Sequence, residues 1–249
     1  MARRWRREHR FWKSLVAFLV MLALLASGGW YYLDRSLHRT EALTGYPGRP
    51  EKVAGTNWLL VGTDARTVLF FHIPGNNVPP TLVSLPRDSA LPGQQTLNAA
   101  YVQGGDRLLA RTVEKETGLF IDHFAEIDRK GLAILITDIG GLPDTPTDQD
   151  PAAQQRNYLH ALFRQATKPG VYANPSHLFP LISDAPELLT VDKNDALADL
   201  VHLAFAMRGD IVGLTVPMSQ EMRWDQNKAA LLFAELRHDL PISANLLRM

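Results

Sequence analysis

Charged and polar residues stand just past the ends of short apolar runs between positions 57 and 101. Asp64 and Arg66 follow NWLLVG, Arg87 and Asp88 follow TLVSLP, and Asn98 opens the box LNAAY. Charges beyond the ends of hydrophobic strands are where α/β sheets usually hold their ligands. Asp64 and Asp88 are hard oxygen ligands suited to Mg²⁺, which binds through one or two carboxylates plus phosphate and keeps its remaining waters. Arg66, Arg87 and Arg107 are planar forks that match phosphate oxygens. Such a set suits a pyrophosphate, where catalysis is mainly charge neutralisation and positioning. The same residues also have plain structural uses. Asp64 and Arg66 can cap a tight hairpin, Arg87 and Asp88 can form surface pairs, and Asn98 can serve as a helix N-cap.

Other chemistries lack their signatures. The chain carries no G-x-S-x-G elbow, Walker A loop, strand-following G-x-G-x-x-G or H-E-x-x-H. Without cysteine it has no disulfide framework, thiol nucleophile or thiolate metal site. Its eight histidines are scattered, none at metal-ligand spacing, and His160, His177 and His202 lie in apolar helical contexts that favour a structural role.

The elements that must position the candidate residues follow from periodicity. Asn57–Val61 reads as a buried strand. Thr67–Ile73 and Thr81–Leu85 read as a hairpin across the turn PGNNVPP. Residues 98–103 form a short helical segment stopped by Gly104-Gly105, and Asp106 starts a second one that Gly118 ends. His123–Ile127 is extended. Arg129–Ile139 is a helix with Leu132, Leu135, Ile136 and Ile139 inward, stopped by Gly140-Gly141. Helices follow over 154–166, 175–183 and 195–207, then a strand over 211–216, and the last helix spans 225–237. Strands interspersed with helices imply one α/β sandwich with a central mixed sheet flanked by helices. Residues 34–53, polar and turn-rich, read as a tether, and the folded domain spans 54–249.

The N-terminus adds a membrane expectation. Of the 26 basic residues, Arg3, Arg4, Arg6, Arg7, Arg10 and Lys13 fall in the first thirteen positions against the single acid Glu8, so the remaining body is acidic. Leu15–Leu33 carries no charge and ends in Trp30, Tyr31 and Tyr32. A cytoplasmic basic tail (1–13), one transmembrane helix (14–33) with an aromatic belt, and a domain outside the cytoplasmic membrane fit this pattern. An acidic body with no DNA-reading motif argues against a nucleic-acid partner.

The ordered motifs NWLLVGTDAR, TLVSLPRDS, LNAAYVQGGDRLL, TVEKETGLFIDHFAEID and GLAILITDIGGL resemble the LytR-CpsA-Psr family. The resemblance is close from Asn57 to Leu142 and looser beyond. It implies a cell-envelope phosphotransferase that moves a glycopolymer from a polyprenyl pyrophosphate carrier to a peptidoglycan acceptor with Mg²⁺, the lipid lying in an apolar tunnel beside the sheet. Carried over by position, Asp64 matches the metal-proximal acid and Arg87 the pyrophosphate arginine of the P-R-D motif. Asp88 is its motif neighbour, and Asn98 is the asparagine of N-A-A-Y. The chain also departs from the pattern. Arg66 runs directly into Thr67, so the R-x-D-T loop with a second aspartate has no counterpart, and Thr96 stands where a basic residue often precedes L-N-A-A-Y. After Gly140-Gly141 only Asp150, Gln154, Gln155 and Arg156 remain of an arginine-rich segment. Arg66, Arg107 and Arg156, with Gln155, are left to complete the phosphate site. A relative weakened or inactive in catalysis, which binds lipid-linked glycan or scaffolds an active paralogue, is the second reading.

Overall fold

The computed structural model describes residues 21, 24, 27–62, 67–91, 96–138, 140–141, 165, 168–207, 210–219 and 223–247. Seven strands form one mixed sheet: β1 (His38–Thr40), β2 (Thr56–Gly62), β3 (Thr67–Ile73), β4 (Thr81–Pro86), β5 (His123–Ile127), β6 (Leu189–Asp192) and β7 (Val212–Thr215). Their order is β1-β6-β5-β2-β3-β4-β7. The hairpin β2-β3-β4 is antiparallel, while β5 joins β2, and β7 joins β4, in parallel.

Period-two alternation separates two cores across this sheet. Leu59, Val61, Val68, Phe70, Val83, Leu85 and Phe124 face one side. There they meet α1 (Leu97–Thr117) and α6 (Gln226–Arg237) through Leu109, Val113, Ala229, Leu232, Phe233 and Leu236. Trp58, Leu69, Phe71, Leu82, Ala125 and Val191 face the other side, under α5 (Leu197–Ala206). Fully burying each such side chain contributes about 1.5–3 kcal/mol. On this second side also lies α2 (Arg129–Asp138), whose Gly131 sits against Ile127 and Leu188. The helix α4 (Pro175–Leu188) packs against α2 and against the short helix α3 (Pro169–Ala173), and α7 (Ala244–Leu247) follows α6.

The hairpin strands, β5 and the inward face of α6 match their sequence expectations. In α1, Gly104 and Gly105 take non-helical angles, with φ of 60° at Gly105, and Gly118 closes the helix in the left-handed conformation. The segment 34–53 departs from expectation, because it is part of the fold. Its β1 pairs in parallel with β6, Leu37 and Ala42 are buried, and Arg49 forms an ion pair with buried Glu114 at 2.7 Å. The final helix is α7 rather than 225–237, and β6 was not foreseen. Leu132, Leu135 and Ile136 of α2 are only half buried. Helix 154–166 falls almost entirely outside the described residues. Among the described residues no helix is long and apolar enough to cross a membrane. About half of the run Leu15–Leu33 lies outside them, and residues 27–36 are helical.

Candidate functional site

One row of paired residues crosses the sheet at a single edge: Leu189, Ile127, Gly62, Thr67 and Pro86 are successive partners. Arg87 is the next residue beyond that row. It sits in a tight turn closed by the Ser89 N–H donating to the Pro86 carbonyl at 3.3 Å. The fully buried Ser89 hydroxyl donates to the same carbonyl and accepts from the Trp224 indole N–H at 2.9 Å. These bonds make the turn rigid, so the Arg87 backbone is fixed before any ligand arrives.

The side chain of Arg87 is 5% exposed, an unusual position for a guanidinium. It donates to Asn98 Oδ1 at 3.0 Å and lies over the Tyr101 ring, 4.9 Å from its centroid. The Asn98 N–H donates back to the Arg87 carbonyl at 3.0 Å. Asn98 is therefore a partner of the arginine, and the N-cap of α1 is Thr96, whose hydroxyl accepts from the Ala99 N–H. The first-turn donors of α1 are largely taken, so the helix adds its dipole to the positive potential here more than free N–H groups.

Tyr101 extends the array. Its hydroxyl donates to Glu126 Oε1 at 2.9 Å, and burial followed by the Glu126 contact pushes the phenol up. Glu126 lies on β5 on the same side as Phe124. Burial and then the neighbouring Asp106 charge raise its carboxyl, against the opposing pull of Tyr101 and Arg87. Asp106 is raised by burial and accepts from the Thr40 hydroxyl at 3.1 Å. Glu126 also lines an open cavity of about 290 Å³ with His38, Asp128, Glu187, Leu188 and Thr190. Anchored arginine, aromatic support and an acid in a desolvated setting together can hold an oxyanion and respond to its charge.

The other expected residues are placed less centrally. Asp88 is exposed beside Arg87. Arg107 points to Glu41 at 3.2 Å in an exposed pair. Asp64, Arg66, Gln155 and Arg156 lie outside the described residues, although Gly62 and Thr67, which flank residues 63–66, are on the Arg87 row. Tyr101 and Glu126 were missed as site residues. The available signal was an acid two positions after inward-facing Phe124 within the strand HFAEI.

Among the described residues, one group of three ligand-type side chains converges within 4.8 Å: His123, Asp195 and Asp199. It sits at the other end of β5 from Glu126. His123 Nδ1 meets Asp195 Oδ1 at 2.7 Å, and its ring stacks on Trp58 at 4.5 Å. Asp195 Oδ2 accepts from the Phe124 and Asp192 N–H groups, and Asp199 accepts from the Ala196 N–H. Burial opposes a charged His123, but the Asp195 hydrogen bond and the surrounding acids outweigh it and hold the imidazole above its ordinary range. These oxygens are already engaged, and a mixed nitrogen–oxygen set is a poor match for Mg²⁺. The group fits a structural brace better than a Mg²⁺ site.

Comparison with known proteins identifies the fold and the family. The LytR_cpsA_psr family model matches residues 35–165. A "LytR-Csp2A-Psr enzyme from Actinomyces oris" superposes with a TM-score of 0.64 at 17% identity, covering 81% of this chain and 96% of that one. The structure "TagT bound to LIIa-WTA" aligns with a TM-score of 0.59 at 15% identity over 79% and 99% of the two chains. These likenesses show a shared mixed α/β fold. The family follows from the sequence match, and the chain belongs to the LytR-CpsA-Psr family. It is 32% identical to the "Probable cell wall biosynthesis protein LcpB" of Corynebacterium glutamicum over 83% of its own length. It is 21% identical to the "Cell wall biosynthesis protein LcpA" of the same organism over 85% of its length. The chain spans only 66% and 60% of those two relatives.

Proposed function

We propose that this protein moves a glycopolymer from a polyprenyl pyrophosphate carrier to a peptidoglycan hydroxyl on the outer face of the cytoplasmic membrane, held there by a single N-terminal helix. The observation that carries this reading is Arg87, buried at the sheet edge and braced by Asn98 and Tyr101. In the proposed step the acceptor oxygen attacks the glycan-bearing phosphorus. The bond to the bridging oxygen breaks, polyprenyl phosphate leaves, and the hydroxyl proton passes to solvent. Arg87 neutralises charge growing on the departing phosphate, where a preorganised donor is worth most. Exposed Ile134, Phe179 and Val201 on α2, α4 and α5 suit a lipid-bearing substrate. The names of relatives support the reading, including a "Polyisoprenyl-teichoic acid--peptidoglycan teichoic acid transferase TagU" of Enterococcus faecalis, 42% identical over 25% of this chain and 22% of that protein.

Mg²⁺ belongs to this proposal through Asp64 and would supply charge neutralisation on the pyrophosphate. No step is routed through it: of the described acids on the Tyr101 side, Glu126 is engaged by Tyr101 and Asp106 by Thr40.

A second reading is a binder or scaffold of weakened activity. It is favoured by the connection between β2 and β3, only residues 63–66, where the family pattern has a longer charged loop. The experiment is to incubate the full chain in detergent with Mg²⁺, a polyprenyl pyrophosphate-linked saccharide and peptidoglycan, following release of polyprenyl phosphate. Turnover that is lost in Arg87→Ala supports the transferase. Tight lipid binding with turnover no higher than in Arg87→Ala selects the second reading.

A further inference from the structure

A separate, cationic cavity, of about 160 Å³, lies on the flank of α1. Ala42, Leu43, Thr44, Gly45, Tyr46, Arg107, Arg111 and Glu114 enclose it. Arg107 and Arg111 are one helical turn apart and so share a face. Arg107 is occupied with Glu41, but among the described residues Arg111 bonds to no carboxylate, and its guanidinium lies 4.5 Å from the centre of the Tyr46 ring. The one acid in the wall is already neutralised. Glu114 receives Arg49 through Nε at 2.9 Å and through Nη2 at 2.7 Å, as well as the Ile121 N–H.

The Tyr46 hydroxyl is buried with no partner at full hydrogen-bonding geometry, although the Glu114 carboxylate is near enough to act on it. Burial, then the charge of Glu114 and a weak contact with its carboxylate, push the phenol up to about 12, so it keeps its proton and gains from a better-placed acceptor. Buried polar atoms are nearly always paired, and an exception beside an uncommitted arginine marks where an acceptor is wanting. The Glu114 carboxylate lies near but is consumed by Arg49, which leaves Arg111 as the local excess charge.

We propose that this cavity is an anion site separate from the Arg87 edge, taking the phosphate or carboxylate of a saccharide, with Arg111 supplying charge and Tyr46 a directional donor. That the anion is carried on a saccharide rests on the transferase reading; the anion site itself does not. A phosphate would come from the polymer being moved, and a carboxylate from a muramic-acid acceptor. In either case the site would grip the chain away from the reacting phosphorus and fix its direction.

The test uses the full chain in detergent carrying Arg87→Gln, which silences the first phosphate site. Inorganic phosphate, glycerol 3-phosphate and N-acetylmuramic acid are titrated separately by calorimetry. At least one is expected to bind, with affinity falling about tenfold or more on adding Arg111→Gln and several-fold on adding Tyr46→Phe. Binding of glycerol 3-phosphate alone assigns the polymer, binding of N-acetylmuramic acid alone assigns the acceptor, and both support the site. No binding of any probe to the Arg87→Gln protein overturns it, as does binding that neither added substitution weakens. Tyr46→Phe removes a single oxygen and keeps the ring, so it decides the matter if Arg111→Gln fails to fold. Since binding is read without turnover, a failure of polymer transfer leaves the result intact, and the reverse also holds.

Discussion

The Arg87 guanidinium lies 4.9 Å from the centre of the Tyr101 ring, and the hydroxyl of that ring is bonded to Glu126. The arginine is thus held by an aromatic face whose own orientation is fixed by an acid on the neighbouring strand. A cation over an aromatic ring is worth about 0.5–2 kcal/mol. Tyr101→Leu should therefore weaken pyrophosphate binding to the full chain by roughly two- to thirtyfold. Tyr101→Phe keeps the ring and should lose much less. Calorimetric titration with inorganic pyrophosphate reads the difference, and equal losses in both variants would assign the effect to the hydroxyl instead.

Glu126 offers a test through pH. Its carboxyl is raised from the ordinary 4.5 by burial and by Asp106, with Tyr101 and Arg87 opposing. A carboxyl raised on folding contributes stability that is full below about 4.5 and fades as pH climbs through the folded value. Glu126→Gln cannot ionise and retains an oxygen for Tyr101. Its stability relative to the natural chain should rise with pH across that window and then level off. Urea midpoints between pH 4 and 8 measure this, and a stability difference that shrinks as pH rises would refute it. Once ionised, Glu126 also opposes an anion at Arg87, so pyrophosphate should bind more tightly to Glu126→Gln on the high-pH side of that window.

What the sequence disclosed and what it hid have different physical causes. β2, β3 and β4 are apolar, rich in β-branched and aromatic residues and bounded by turns, so local composition defines them. β1 is HRT and β6 is LTVD. Neither has enough apolar content to be a strand alone. β1 is extended because it pairs with β6, about 150 residues away, and β6 because it lies between β1 and β5, partners that no local window contains. The site divides similarly. Arg87 and Asn98 were legible because they sit at element ends, inside recognisable motifs. Tyr101 and Glu126 lay in those same motifs but gained meaning only when β5 settled beside β2 and turned Glu126 toward α1. His123 and Asp195 are 72 positions apart, so spacing alone could not join them.

The misread tether gives a stability prediction. Arg49, in the segment expected to be loose, reaches Glu114, which is 2% exposed, and stacks 4.0 Å from the centre of the Phe120 ring. Removing one partner of a buried ion pair leaves an uncompensated charge and typically costs about 3–5 kcal/mol. Arg49→Ala should lower the urea midpoint accordingly, while Lys52→Ala, which removes a lysine 65% exposed at Asp122, should change little. Equal midpoints for Arg49→Ala and the natural chain would return residues 34–53 to the role of a free tether.

The cluster at the far end of β5 can be separated from metal binding by a fourth prediction. Asp195 is 2% exposed and accepts from His123 and from two backbone N–H groups, so its carboxylate is already saturated. Asp195→Asn puts an amide donor where one of those donors points, and should destabilise the chain by about 1–3 kcal/mol whether or not divalent ions are present. The natural chain should melt at the same temperature in EDTA and in millimolar Mg²⁺ or Zn²⁺ if residues 123, 195 and 199 only brace the β5–β6 edge. A ligand that binds only the folded state at a hundred times its Kd adds about 2.7 kcal/mol, which thermal denaturation detects readily. A metal-dependent rise in melting temperature that disappears in Asp195→Asn would make this cluster a cation site. The same rise persisting in Asp195→Asn would place the ion elsewhere, with Asp64 the next residue to substitute.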